Sequence, residues 1–126
     1  MRKLHLLFSL FLLVSIGLIG CSESSEASFE NIQTEDAKAL IDEQKIQILD
    51  VRSQEEYDSG HIPNAELIPL PELTERLSEL DQSTTYLVVC RSGNRSSQAS
   101  QILIDNGFGS VYNLENGMNE WAYEIE

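Results

Sequence analysis

The residues with the clearest chemical potential lie in one short segment, Cys90-Arg91-Ser92-Gly93-Asn94-Arg95-Ser96. A cysteine reacts as its thiolate, so its reactivity depends on surroundings that favour the charged form. Gly93 allows a sharp curl of the chain, and such a curl turns successive backbone N–H groups inward to form an anion-binding nest. Arg91 and Arg95 add positive charge. We therefore expect a lowered pKa for the Cys90 thiol, which would attack an anionic electrophile.

The neighbouring elements predict where this segment lies. Thr84–Val89 is short, apolar and β-branched, which indicates a buried strand. The helix that follows has a buried stripe of Ala99, Ile102 and Leu103 and a stop at Gly107. A thiol at the carboxyl end of a central strand lies where open α/β sheets bind ligands, and the helix adds the positive end of its dipole. The simpler interpretation is an inert cysteine that packs in the core. Packing does not explain, however, why a glycine and two arginines lie next to it where the strand passes into the helix.

Strands and helices alternate along the rest of the chain. Apolar and β-branched runs predict further strands at Phe29–Ile32, Ile46–Asp50, Ala65–Ile68 and Val111–Leu114. Alternation of this kind implies a parallel sheet that is covered by helices on both faces.

Local signals predict three more helices. Thr34 is a candidate N-cap, and Ser53-Gln54-Glu55-Glu56 fits a capping box for a short helix that Gly60 ends in a left-handed conformation. Pro71 suits the first position of a helix in which Leu73, Leu77 and Leu80 share a face.

Four segments, in this order, resemble the signatures of the rhodanese family. They are Leu49-Asp50-Val51-Arg52 with Glu56-Tyr57, Gly60-His61-Ile62-Pro63-Asn64-Ala65 with Ile68-Pro69, Cys90 to Ser96, and Val111-Tyr112-Asn113-Leu114 through Gly117 to Trp121. The resemblance covers nearly all of residues 29–123 and implies one rhodanese-like domain at 29–126. It also implies an α/β fold with a five-stranded parallel sheet and helices on both faces.

The resemblance further implies sulfane-sulfur transfer without a metal or an organic cofactor. Cys90 would take sulfur from a small anionic donor such as thiosulfate, become a persulfide, and pass the sulfur to cyanide or to a small or protein thiol. Backbone N–H groups from Arg91, Ser92, Gly93, Asn94, Arg95 and Ser96 would cradle the persulfide. Arg91 and Arg95 would orient the donor and help to lower the thiol pKa.

Three other features are interpreted structurally. Asp50 and Arg52 are expected to form a buried ion pair near the site, with support of the loop as an alternative. His61 is expected to make a hydrogen bond in a turn. Glu115-Asn116-Gly117 departs from the family's usual pair of glycines, and we expect the turn to survive because Asn tolerates a left-handed backbone.

Two other functions remain as alternatives. Phosphatase or arsenate reductase activity needs five residues between the cysteine and an arginine, whereas four separate Cys90 from Arg95, and Ser96 occupies the position of the arginine. A non-catalytic module that carries a persulfide or binds a partner is the second alternative. The intact loop around Cys90 favours the enzyme.

The start of the chain resembles the signal of a bacterial lipoprotein. Arg2 and Lys3 precede an apolar run, and small Gly20 precedes Cys21. We expect residues 1–20 to be a removed signal peptide, Cys21 to be acylated, and residues 21–28 to form an acylated N-terminus and a flexible tether. The protein would then be exported and attached by lipid to the outer face of the cell membrane or to an outer membrane.

Charge and cysteine content narrow the choice of partners. Without residues 1–20 the chain has 6 basic against 21 acidic residues, a net charge of −15. Such a chain is unsuited to nucleic acid, whose phosphates require Lys and Arg. The only cysteines are Cys21 and Cys90, so lipid on the first leaves Cys90 as the only free thiol.

Overall fold

The computed structural model describes residues 27–126, so the predicted signal peptide and Cys21 lie outside it. The strands are β1 (Glu30–Ile32), β2 (Gln47–Asp50), β3 (Glu66–Leu67), β4 (Tyr86–Val89) and β5 (Val111–Leu114). The α-helices are α1 (Thr34–Asp42), α2 (Gln54–Asp58) and α3 (Asn94–Asp105). All five predicted strands are confirmed, most of them slightly shorter than the apolar runs that predicted them.

The strands form one parallel sheet in the order β1-β5-β4-β2-β3. Strand β4 is central, because it pairs with β5 on one side and with β2 on the other. Connections between parallel neighbours must return across a face of the sheet, which is the position that helices and long loops take. The predicted parallel sheet with helices on both faces is confirmed, and it places the carboxyl end of β4 in the middle of the sheet edge.

Alternation along β4 divides the core into two clusters. Tyr86, Val88 and Cys90 belong to the cluster that α3 covers, whereas Leu87 and Val89 belong to the cluster on the opposite face. The α3 side is closed by Ala99, Leu103, Ile104, Phe108 and Leu73, and the other side by Ala37, Leu40, Ile41, Ile62 and Tyr57. Cys90 therefore continues the buried side of a strand and is fixed in direction by the pleat.

The predicted helix after Pro71 is wrong in type. The segment forms two 3₁₀ helices, Leu70–Glu72 and Thr74–Glu79, which meet at the buried Leu73. Leu70 and Leu73 are three residues apart, as are Leu77 and Leu80, and a 3₁₀ helix aligns side chains at that spacing. All four leucines pack against the α3-side cluster, so the expected apolar face exists on a tighter backbone.

Two helix ends also differ from the sequence prediction. Gln33 is the extended residue before α1, and Thr34 is the first helical residue with a buried side chain. Helix α2 ends at Asp58, Ser59 caps it in a right-handed conformation, and Gly60 follows with φ of +141°. Ser53 is confirmed as the N-cap of α2, because its Oγ accepts a hydrogen bond from the Glu56 N–H at 3.2 Å.

None of the helices between residues 27 and 126 has the length and hydropathy that a bilayer span requires.

Candidate active site

The segment after β4 curls within four residues and enters α3 at Asn94. Gly93 takes φ of +94°, a left-handed conformation that L side chains rarely adopt, and its N–H points at Cys90 Sγ with a distance of 3.2 Å. A Cβ at position 93 would lie 1.9 Å from the backbone oxygen of Glu115. Glycine is thus required here both by the backbone conformation and by the close approach of another chain segment.

Cys90 is buried, with 1% of its surface exposed, and its sulfur lies 3.2 Å from the Ser96 hydroxyl. Burial raises the pKa of this thiol. Hydrogen bonds from the Ser96 hydroxyl and from the backbone N–H groups of Ser96, Ser92 and Gly93 lower the pKa by more than burial raises it, so the net shift is downward. These donors stabilise a charge on sulfur, which is the property of a nucleophilic thiolate. The arrangement confirms the direction of shift expected from the sequence.

The remaining loop side chains face solvent. Ser92 and Asn94 are exposed, and the Asn94 side-chain oxygen accepts a hydrogen bond from Gln98 at 3.3 Å within α3. Ser92 therefore acts on the sulfur through its backbone, while the side chains of both residues lie at the rim of the site. The Arg91 side chain is 65% exposed at the same rim.

Both loop arginines have a shared partner that the sequence analysis did not find. Arg95 Nη1 and Nη2 donate to the two carboxylate oxygens of Glu56 at 2.8 and 2.9 Å, and Arg91 Nη2 lies 3.5 Å from the same carboxylate. The hydrogen bond from Arg95, aided by the charges of both arginines, lowers the pKa of Glu56 to about 2. Glu56 is therefore ionised in the pH range where the thiolate forms.

Glu56 was missed because a local motif already explained it. The Ser53-to-Glu56 spacing predicts that the glutamate returns to the backbone at the start of its own helix. The structure keeps the half of the capping box that Ser53 supplies, but the carboxylate turns to Arg95, which lies 39 residues further along the chain. Only the placement of α2 beside the loop reveals this contact.

Asp50 and Arg52 form the expected buried ion pair. Arg52 Nη2 lies 2.7 Å from Asp50 Oδ2, with both side chains more than nine-tenths buried. The same nitrogen donates to the backbone oxygen of Gly60 at 2.9 Å. The pair therefore ties the end of β2 to the loop after α2, the helix that carries Glu56, and its support of the Cys90 loop is indirect.

The turn after β5 packs directly beneath the Cys90 loop. The N–H of Met118 donates to the Cys90 carbonyl, and the N–H of Asn119 donates to the Arg91 carbonyl, both at 2.9 Å. A Cβ on Gly117, which has φ of +58°, would lie 2.4 Å from the Cys90 oxygen. We expected Asn116 to take a left-handed backbone in place of the family's glycine. That expectation is wrong, because Asn116 has φ of −107° and the left-handed residue is Gly117.

Asn113 is a second contributor that the sequence did not reveal. It is buried in β5, and its side-chain nitrogen donates to Asn31 Oδ1 at 2.9 Å and to the Gly93 carbonyl at 3.4 Å. This contact joins the central sheet to the residue that orients the loop. The sequence signals for it are a polar residue within an apolar strand and its place in the segment that resembles the family's C-terminal signature.

His61 takes the structural role expected of it. Its Nδ1 lies 2.9 Å from the Tyr57 carbonyl, and its ring stacks on the Tyr57 ring with centroids 3.6 Å apart.

Within residues 27–126, no group of three or more His, Cys, Asp and Glu side chains is arranged to hold a metal ion.

Comparisons with known proteins agree on one family. The family model described as "Rhodanese-like domain" matches residues 33–124. A protein of Allochromatium vinosum named "Sulfurtransferase" is 35% identical over 86 residues, which cover 68% of this chain and 80% of the relative. A rhodanese-like domain protein from Staphylococcus aureus, solved by crystallography, is 37% identical with a TM-score of 0.72, and the match covers 78% of this chain and 97% of that one.

A third relative is longer than the matched region. The Bacillus subtilis (strain 168) protein named "Putative sulfur carrier protein YrkF" is 36% identical over 106 residues, which cover 83% of this chain and 57% of the relative. This chain therefore spans a little over half of that protein.

Proposed function

Because the chain belongs to the family of rhodanese-like domains, we propose that it is a sulfurtransferase whose sulfur-carrying group is Cys90. The observation that carries this proposal is the geometry at the sulfur. Gly93 N–H and the Ser96 hydroxyl both lie 3.2 Å from Sγ at the start of α3. Donors placed in this way stabilise negative charge on the thiolate before reaction and on the persulfide after it.

The first half-reaction loads the cysteine. The Cys90 thiolate attacks the outer sulfur of thiosulfate, a new S–S bond forms, and the S–S bond of thiosulfate breaks with its electron pair leaving on sulfite. The product is an anionic persulfide on Cys90, held by the same hydrogen-bond donors. No electrons are gained or lost overall, so this step needs no redox cofactor.

The second half-reaction unloads it. Cys90 is the only cysteine within residues 27–126, so this domain has no second thiol to form an internal disulfide with the loaded one. The outer sulfur passes instead to an external nucleophile, either cyanide or the thiolate of a small molecule or a protein, and Cys90 leaves as a thiolate. The loop donors that favour the thiolate also favour this departure.

Sulfur carriage is the second candidate, and the name of the Bacillus subtilis relative favours it. A carrier would form the same persulfide but would turn over slowly without its own acceptor protein. The two functions differ in rate and not in the first chemical step.

The N-terminal segment supports a further proposal about location. The Arg2-Lys3 start, the apolar run and Gly20-Cys21 support export with a lipid anchor on Cys21, and the polar residues 22–28 would hold the domain away from the membrane. The acceptor would then be an extracytoplasmic thiol or another thiophile.

Turnover with thiosulfate and cyanide tests the catalytic proposal. We expect sulfite and thiocyanate in equal amounts over many cycles, and no product from Cys90→Ser. One equivalent of sulfite per protein without further turnover would instead support the carrier. The absence of any sulfite would contradict both.

A further inference from the structure

The charge at the rim of the site is smaller than the two loop arginines suggest. Arg95 uses both terminal nitrogens on the Glu56 carboxylate, and Arg91 approaches the same group at 3.5 Å. Two positive charges and one negative charge leave a net charge of +1 beside Cys90. Glu56 is only 21% exposed, so water screens this neutralisation less than it would on an open surface.

Other cations do not compensate for it. Each of the other four basic side chains in residues 27–126 also has an acidic partner within 4 Å: Lys38 with Asp42, Lys45 with Glu43, Arg52 with Asp50, and Arg76 with Glu72 and Glu79. Positive charge for an incoming anion must therefore come from Arg91, Arg95, the helix start and the loop N–H groups.

The charge balance decides which donor fits. A thiolate and a doubly charged donor bring three negative charges to a rim of +1, whereas a thiolate and a singly charged donor bring two. Repulsion from Glu56 acts in proportion to the charge of the donor. A carboxylate in this position thus penalises a dianion more than a monoanion.

We propose that Glu56 is a specificity-determining residue, which makes the site favour singly charged sulfane-sulfur donors, persulfides R–S–S⁻ and thiosulfonates R–SO₂–S⁻, over doubly charged thiosulfate. This inference rests on the proposed function. The chemistry is unchanged: the Cys90 thiolate takes the outer sulfur, and the donor leaves as a thiolate or a sulfinate instead of sulfite.

Thiosulfate and methanethiosulfonate are a matched pair of donors, because a methyl group replaces one charged oxygen. We expect Glu56→Gln to raise kcat/KM about tenfold for thiosulfate and about threefold for methanethiosulfonate, since the removed repulsion scales with donor charge. Both gains should shrink at high salt. A change in thiol reactivity would affect both donors alike, so the ratio of the two values isolates the effect on donor charge.

Two variants serve as controls. Glu55→Gln removes the same charge from the exposed neighbouring residue of α2, and it should change the donor ratio by less than twofold. Glu56→Asp keeps the charge and should keep the ratio of the unmodified protein. An unchanged ratio in Glu56→Gln, an equal shift in Glu55→Gln, or a shift in Glu56→Asp like that of Glu56→Gln would overturn the inference.

Inhibition of the unmodified protein gives an independent measurement. We expect sulfate to inhibit no better than methanesulfonate, and tenfold tighter inhibition by sulfate would overturn the role of Glu56. Failure of both donors to load Cys90 would instead contradict the proposed sulfur transfer itself. The two failures are therefore distinguishable.

Discussion

At the scale of single residues, the thiolate of Cys90 depends on hydrogen bonds more than on unpaired charge. Its sulfur is buried beside the Ser96 hydroxyl and the Gly93 N–H, whereas the Arg95 guanidinium is occupied by Glu56. A hydrogen bond to a charged group in a buried site contributes about 1.5–3 kcal/mol. The loop therefore favours the thiolate through fixed dipoles, which would need no reorganisation during the proposed reaction.

Ser96→Ala tests this account of the thiolate. Loss of the hydroxyl should raise the pKa of Cys90 and slow its alkylation at neutral pH by about tenfold or more, as expected when one charge-assisted hydrogen bond is lost. The measurement is the rate of reaction with iodoacetamide as a function of pH. Ser97→Ala, one position further along α3, should behave as the unmodified protein, and an equal effect of both variants would contradict the role of Ser96.

At the scale of elements, two segments from distant parts of the chain hold the loop in place. The turn after β5 binds the Cys90 and Arg91 carbonyls from below, and α2 binds Arg95 from the side through Glu56. The loop itself is short, so its shape depends on these supports as well as on its own glycine. Changes in either support should therefore affect stability or the reacting thiol.

Gly117→Ala tests the support from the turn. A side chain at φ of +58° is strained, and its Cβ would approach the Cys90 and Arg91 backbone to 2.4–2.6 Å. We expect a loss of about 2 kcal/mol or more in the free energy of unfolding, measured with urea, together with slower alkylation of Cys90. Gly109→Ala is the matched control, because no described heavy atom outside its chain neighbours lies within 4 Å of the new Cβ. Similar losses in the two variants would argue against this role.

The pair between Glu56 and Arg95 should appear in the dependence of stability on pH. The pKa of Glu56 is lowered from 4.5 to about 2, so the pair stabilises the fold above pH 4.5 and this contribution disappears as the pH falls toward 2. The difference in unfolding free energy between the unmodified protein and Glu56→Gln should therefore shrink over that range. Parallel curves for the two proteins would contradict the pairing, and Glu55→Gln should give a curve parallel to that of the unmodified protein.

The sequence predicted elements well where the signal was local and poorly where it depended on distant segments. Strand β4, Gly93 and the lowered pKa of Cys90 followed from residues within one segment. Two other contacts could not be predicted in this way: the pairing of Arg95 with Glu56 and the packing of Gly117 on Cys90. Both depend on where the sheet places α2 and β5. The leucines after Pro71 gave the correct buried face, but their spacing suits both an α-helix and a 3₁₀ helix.

At the scale of the whole molecule, the small positive site lies in a strongly acidic chain. Six basic against 21 acidic residues follow the predicted signal peptide, so the overall field repels anions, which the loop must attract locally. A tether of polar residues would keep this acidic domain clear of anionic lipid headgroups. The proposed anchor would then determine where the domain works, and the loop would determine the proposed chemistry.

Cys21→Ser tests the anchor separately from the chemistry. Without the acylated sulfur, the protein should move from the membrane fraction to the soluble fraction, while its rate of sulfur transfer stays the same, because the substitution precedes the predicted domain at 29–126. Cell fractionation and an activity assay on each fraction measure both properties. Ser22→Ala should remain with the membrane, and membrane attachment of Cys21→Ser would contradict the lipid anchor.

The most direct test of the central claim is mass spectrometry of the protein before and after a single exposure to thiosulfate. Transfer through Cys90 predicts a gain of one sulfur atom on the peptide that contains Cys90, with one equivalent of sulfite released and the gain lost on addition of cyanide. No gain on that peptide, or an equal release of sulfite by Cys90→Ser, would contradict the assignment of Cys90 as the sulfur-carrying residue.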